Sequence, residues 1–98
     1  MNIEKMMQQA QAMQGKVQAE LKALRKKGSA GGGLVSIEMS GEKEVLSVSI
    51  DPSAVDASDV ETLQDLVLAA LRDASRQVDE AVRQKTSAML GGMLPGMR

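Results

Sequence analysis

Three kinds of side chain in this 98-residue chain could do chemistry: carboxylates, serine hydroxyls and scattered lysines and arginines. The carboxylates Asp51, Asp56, Asp59, Glu61 and Asp65 lie close enough in sequence to suggest an acid/base pair or a Mg²⁺ site. Helix capping and a solvated helix face account for the same residues without catalysis, and that reading is preferred. Ser36, Ser47 and Ser49 could only act as nucleophiles with a base beside them, and the chain has no His and no Cys to supply one or to anchor a metal. Gly31, Gly32 and Gly33 precede an apolar run and no Gly-Lys-Ser/Thr follows, so a phosphate-cradling loop is not indicated and flexible or close backbone packing is. No enzymatic activity, cofactor, metal or small-molecule substrate is therefore expected.

The basic residues are the remaining candidates. Lys16, Lys22, Arg25, Lys26 and Lys27 crowd the first part of the chain, and Arg76, Arg83 and Lys85 the last. Net charge is −1, but residues 1–27 carry six basic and two acidic side chains while residues 28–56 carry one and five. Such charges usually mean a solvated helix face. If they contact DNA, the mode is constrained: with no aromatic residue, bases cannot be stacked on a ring, and no helix-turn-helix or finger pattern offers base reading. What remains is phosphate contact, largely indifferent to sequence and strongly dependent on salt.

The elements that must position these residues follow from periodicity. Asn2 is a plausible cap, after which Ile3, Met6, Met7, Ala10, Met13, Val17, Leu21 and Leu24 recur at helical spacing. That predicts a helix of about 25 residues, roughly 37 Å long, stopped by Lys26, Lys27 and Gly28. Gly15 in its middle marks either a bend, a close helix crossing or a tolerated surface position. Val35, Ile37 and Met39 then alternate with Ser36, Glu38 and Ser40, and Leu46, Val48 and Ile50 with Ser47 and Ser49. This is the signature of two strands with one buried face, joined by a two-residue turn at Gly41 and Glu42. Those six apolar residues are the expected core or dimer contacts. Ser58 with Glu61 reads as a capping box, opening a second helix of about 30 residues, roughly 45 Å, that ends near Leu90.

The fold class is thus α+β: long helix, β-hairpin, long helix, with a third strand if the Gly-rich lead-in joins the sheet. Residues 1–90 form a single domain and residues 91–98 a flexible tail rich in Gly, Met and Pro. A seven-residue strand spans only about 23 Å, so the helices must overrun the sheet, running back alongside each other with apolar flanks uncovered. An obligate homodimer is expected, joined through the hairpin or the helices, with helix ends protruding as arms. No stretch is apolar enough to cross a membrane and no leader pattern opens the chain, so a soluble cytoplasmic protein is expected.

Several motifs now stand together: a Met/Gln-rich first helix, Gly31-Gly32-Gly33-Leu34-Val35, Met39-Ser40-Gly41, Ile50-Asp51-Pro52-Ser53, Leu63 to Ala70, and a Gly-Gly-Met-Leu-Pro-Gly-Met tail from Gly91. In this order and spacing they closely resemble the YbaB/EbfC family of bacterial nucleoid-associated proteins, over almost the whole chain. The resemblance implies a cytoplasmic, nucleoid-located α+β protein forming a tweezer-shaped homodimer whose protruding helices embrace duplex DNA, and no enzymatic activity. It fixes no individual DNA contacts, so the eight basic residues named above are assigned from charge and helix position alone. The alternative is a protein-binding adaptor that captures a partner with its Met-lined helix ends or its tail.

Overall fold

A computed structural model describes residues 2–93. The order of elements is α1 (Ile3–Ala23), β1 (Arg25–Ala30), β2 (Val35–Ser40), β3 (Val45–Ile50), a single 3₁₀ turn (Pro52–Ala54) and α2 (Val60–Met93). The strands form one antiparallel sheet in the order β1-β2-β3. The α+β class is as expected, and the sheet has three strands.

Asn2 caps α1, its Oδ1 accepting from the amides of Glu4 and Lys5 at 3.0 and 3.4 Å. The helix stops at Ala23, four residues before the expected end, because Arg25, Lys26 and Lys27 belong to β1 instead. Pairing with the whole length of β2, from Arg25 opposite Ser40 to Ala30 opposite Val35, outweighs the helix propensity of three long basic side chains. The C-terminal carbonyls of α1 are covered by the Arg25 guanidinium, which donates to the Lys22 and Leu24 oxygens. Gly28 is therefore a strand residue and not a helix stop.

What places α2 is the absence of a side chain at Gly28. A Cβ there would overlap the Ala74 amide nitrogen and lie 2.5 Å from the Ala70 carbonyl oxygen and 2.6 Å from the Ala74 Cα. Backbone thus meets backbone, with Ala70 and Ala74 as the small helix residues that permit it. Around this contact Val35, Ile37 and Met39 of β2 bury against Ala70, Ala74 and Val78 of α2, with Leu63, Leu66, Val67, Leu71 and Val82 partly buried at the margin. Full burial of such aliphatic side chains contributes about 1.5–3 kcal/mol each.

The helix covers β1 and β2 but not β3, every residue of which is exposed. Val48 and Ile50 pair with Ile37 and Val35, so they share the core-facing side of the sheet, yet they remain 52% and 39% exposed. Leu46, also expected in the core, is 39% exposed and sits in a register shift, Glu38 pairing with Ser47 and Met39 with Val45. That bulge hands the inward position to Val45. Of the six expected core residues, one chain by itself buries Val35, Ile37 and Met39 and leaves Leu46, Val48 and Ile50 open.

Other boundaries differ in detail. The β2–β3 connection takes four residues, with Lys43 left-handed at φ 66° and its Nζ held 2.7 Å from Asp79 and 2.9 Å from the Ser75 hydroxyl. Asp59, with Thr62, caps α2 in place of the Ser58–Glu61 box. The helix also continues past Leu90 through Gly91 and Gly92 to Met93, and the remainder of the expected tail, residues 94–98, lies outside the described residues.

A six-residue strand spans about 20 Å, whereas the molecule measures 69 × 28 × 15 Å. Contacts order α2 along the sheet from Leu66 near Gly31, through Gln77 at Lys27, to Lys85 at Glu20 of α1. Both helices therefore run on beyond the Arg25 end of the sheet. They meet at the Glu20–Lys85 ion pair, but α1 buries no residue, and Ile3, Met6, Met7 and Met13 are 72%, 55%, 59% and 43% exposed. Within one chain the apolar flank of α1 is thus left uncovered, as the lengths of the elements led us to expect.

Two glycine substitutions separate these features. Gly28→Ala should cost about 1–3 kcal/mol by forcing the helix off the strand. Gly15→Ala, where a Cβ meets nothing within 4 Å, should stabilise by up to about 1 kcal/mol. Urea unfolding followed by circular dichroism reads both, and a neutral Gly28→Ala would refute the close approach.

Candidate nucleic-acid interface

The eight basic residues singled out by charge occupy three environments. Lys16 and Lys22 are exposed on α1, Lys22 in its last turn. Arg25 and Lys27 project from the sheet face opposite α2, since Lys27 pairs with Glu38 while Lys26 pairs with the inward Met39. Lys26 leans toward α2, where it lines an open groove of ≈ 400 Å³ with Arg76, Gln77, Glu80, Ala81 and Gln84. Arg83 and Lys85 lie further along α2. No single cluster holds all eight.

Ion pairing divides them more sharply than position does. Arg25 is 3.9 Å from Glu38, Arg76 is 2.6 Å from Asp73, Arg83 is 3.1 Å from Glu80 and Lys85 is 3.7 Å from Glu20. Lys16, Lys22, Lys26 and Lys27 have no carboxylate within 4 Å among the described residues. A surface pair contributes little to stability, but its acid partner offsets the field that a phosphate would feel. The free cations thus concentrate on α1 and β1. Lys5 is a further free cation on α1, and Arg72 on α2, where it lines a second groove, of ≈ 310 Å³, with Ala69, Asp73 and Arg76. The assignment from charge omitted both; the i, i+4 spacing of Arg72 and Arg76 was the available signal for the second.

The carboxylates have structural partners. Asp51 accepts from Ser53, Asp56 from Ser58 and Asp59 from Thr62, and in each case these hydrogen bonds hold the carboxyl below its ordinary value. Asp73 does more. Its Oδ2 accepts from the Ser29 amide at 2.9 Å and from Gln77 Nε2 at 3.2 Å, while Gln77 also donates to the Lys27 carbonyl at 3.0 Å. The free edge of β1 is sealed by these α2 side chains, the usual remedy for an exposed strand edge. No side chain among the described residues bonds the backbone of β3.

This arrangement, one helix on a three-stranded sheet with two helices projecting from one end, defines a class of small α+β proteins, and similarity to known proteins narrows it further. Residues 1–93 match the model of the YbaB/EbfC DNA-binding family, and the chain belongs to that family. A nucleoid-associated protein of Clostridium novyi is 46% identical over 101 residues, covering 99% of this chain and 89% of that one. One from Chloroflexus aurantiacus is 45% identical over 96 residues, covering 95% and 96%. The crystal structure of an uncharacterized Helicobacter pylori protein superposes with a TM-score of 0.73 at 26% identity, over 93% of this chain and 99% of that one. The family is a DNA-binding one. Among the described residues no helix is long and apolar enough to cross a membrane.

The Asp73 network has a pH consequence. A carboxyl whose folded pKa is lowered, here first by the Ser29 amide and then by Arg76, contributes stability that is complete above its unfolded value of about 3.9 and is lost as pH falls below it. Urea midpoints should therefore decline from about pH 5 downward, and less steeply in Asp73→Asn. Parallel curves for the two proteins would show the network contributes nothing.

Proposed function

We propose that this protein binds duplex DNA in the bacterial nucleoid as a homodimer, holding it mainly by phosphate contacts with little direct reading of sequence. The observation that carries the reading is the set of free cations on α1 and β1, beside two helices that overrun their sheet. Family membership and nucleoid-associated relatives support DNA as the partner. The lack of any aromatic side chain argues against capture of single strands by stacking. Cytoplasmic location follows from that role.

The dimer reading rests on β3. Val45, Val48 and Ile50 lie on the side of the sheet where a core should be, the strand edge has no side-chain cover among the described residues, and the α2 of the same chain lies elsewhere. A second copy set against β3 removes both liabilities and points a second pair of helices outward, giving the two arms of a tweezer. A second reading, an adaptor that binds protein, is favoured by the exposed Ile3, Met6, Met7 and Met13 stripe.

Titration of a random 30-bp duplex, a length of about three helical turns, separates the two. Phosphate binding predicts a log Kd that rises linearly with log salt, with a slope of about 0.9 per phosphate contacted. Lys22→Glu with Lys27→Glu should weaken binding at least about tenfold and flatten that slope, with the oligomer mass unchanged. Arg83→Glu, altering a cation already neutralised by Glu80, should do less. Absence of binding at low salt would favour the adaptor; equal losses for both variants would refute this placement of the interface.

A further inference from the structure

Glutamine recurs along α1, and three of these residues share one face with its only glycine. Gln8, Gln11, Gly15, Gln18 and Lys22 follow one another at spacings of three, four, three and four residues, which at about 100° per residue keeps all five within a strip roughly 80° wide. All five are exposed, and among the described residues none of their side chains hydrogen-bonds another group or pairs with a carboxylate. A Cβ at Gly15 would meet nothing within 4 Å, so the middle of the strip is open. Lys5 and Lys16, both free cations, flank the strip on one side. The apolar residues Ile3, Met6, Met13 and Val17 are centred about 140° away round the same helix, with Met7 between them and the strip, one turn before Gln11. The centre of the glutamine strip thus faces away from the centre of that apolar group.

We propose that this face enters the major groove of duplex DNA, the glutamine amides reading adenine edges while Lys22, Lys5 and Lys16 hold the bordering phosphates. The proposal rests on the DNA-binding reading above and adds to it a bias toward adenine. A helix fits a groove about 12 Å wide, and a carboxamide presents one donor and one acceptor in the pattern that complements adenine N7 and N6. Gln11 and Gln18 stand about 10 Å apart along the axis, close to three base steps of about 3.4 Å. Gly15 lies between them. An exposed glycine in mid-helix disfavours the helix relative to alanine, and what it offers in return is close approach of the backbone to a ligand. Glu4, one turn before Gln8, is the carboxylate on this face, and it sits at the end remote from Lys22. Phosphate contact by itself needs cations and no amides; the amides supply what base edges require.

The test uses the full-length protein and fluorescence anisotropy with three 30-bp duplexes: one rich in A·T pairs, the same sequence with every adenine replaced by 7-deazaadenine, and one rich in G·C. Removing N7 leaves pairing intact but deletes the acceptor the amide needs. Wild type should bind the deaza duplex about three- to tenfold more weakly than its parent. The triple variant Gln8→Ala, Gln11→Ala, Gln18→Ala, whose substitutions favour the helix, should bind the parent and deaza duplexes alike. Gly15→Leu also favours the helix, and by filling the gap it should weaken binding of the parent duplex at least about threefold. Lys22→Ala should weaken all three duplexes alike and lower the salt slope by about one. Equal binding of parent and deaza duplexes by wild type overturns the proposal while leaving phosphate binding intact. A deaza penalty that persists in the triple variant also overturns it, as does full binding by Gly15→Leu. Failure to bind any duplex at low salt removes the DNA-binding reading itself, and is thereby distinguished from the other outcomes.

Discussion

Backbone touches backbone where α2 crosses β1, and the rest of the molecule is arranged around that contact. Gly28 has no side chain, Ala70 and Ala74 have the smallest ones available to a stable helix, and a Cβ at Gly28 would fall within 2.6 Å of the helix backbone. Close packing of this kind fixes the helix laterally as well as in height. Set over β1 and β2, α2 has no reach left for β3. The same placement brings Asp73 and Gln77 to the outer edge of β1, where they satisfy its Ser29 amide and Lys27 carbonyl. One edge of the sheet is closed by the helix that sits on it; the other is left with Val45, Val48 and Ile50 beside bare backbone.

Length then turns a packing asymmetry into a shape. A helix of 34 residues is about 51 Å long, and the sheet beneath it accommodates less than half of that. The excess, with α1 leaving the same end, forms an overhang whose apolar stripe has no cover in its own chain. Small domains that cannot enclose their apolar surface commonly resolve the problem by association. The charge pattern agrees: acidic side chains sit around the β2–β3 loop and the start of α2, and the free cations concentrate on the overhanging α1 and on β1.

The coarse design was legible in the sequence because periodicity reports burial. Val35, Ile37 and Met39 alternate, and they are buried; the 3.6-residue period of α2 placed Ala70, Ala74 and Val78 on its inner face, and they are buried. Asn2 was legible as a cap because its chemistry is local. What periodicity could not report was which strand face a helix actually reaches, so Val48 and Ile50 read as core although one chain leaves them open. Nor could it detect a strand made of Arg25, Lys26 and Lys27, residues with good helix propensity whose conformation is decided by pairing with β2. The bulge at Leu46 is of the same kind, a tertiary adjustment with no local signature. At the candidate interface the basic residues were visible as a set, and the i, i+3 spacing of Asp73 with Arg76 and of Glu80 with Arg83 was a local signal for two of the ion pairs. The pairing of Arg25 with Glu38 and of Lys85 with Glu20 depended on proximity that only folding creates.

That a single chain cannot shelter the face its own strand β3 presents is a statement about mass in solution. Sedimentation equilibrium at micromolar concentration, run on the wild type and on a Val48→Lys, Ile50→Lys variant, weighs it directly. Wild type should show twice the 10.4 kDa chain mass, and the variant a lighter or less stable particle. A folded wild-type monomer under those conditions, or a variant dimer as tight as the wild type, would contradict it.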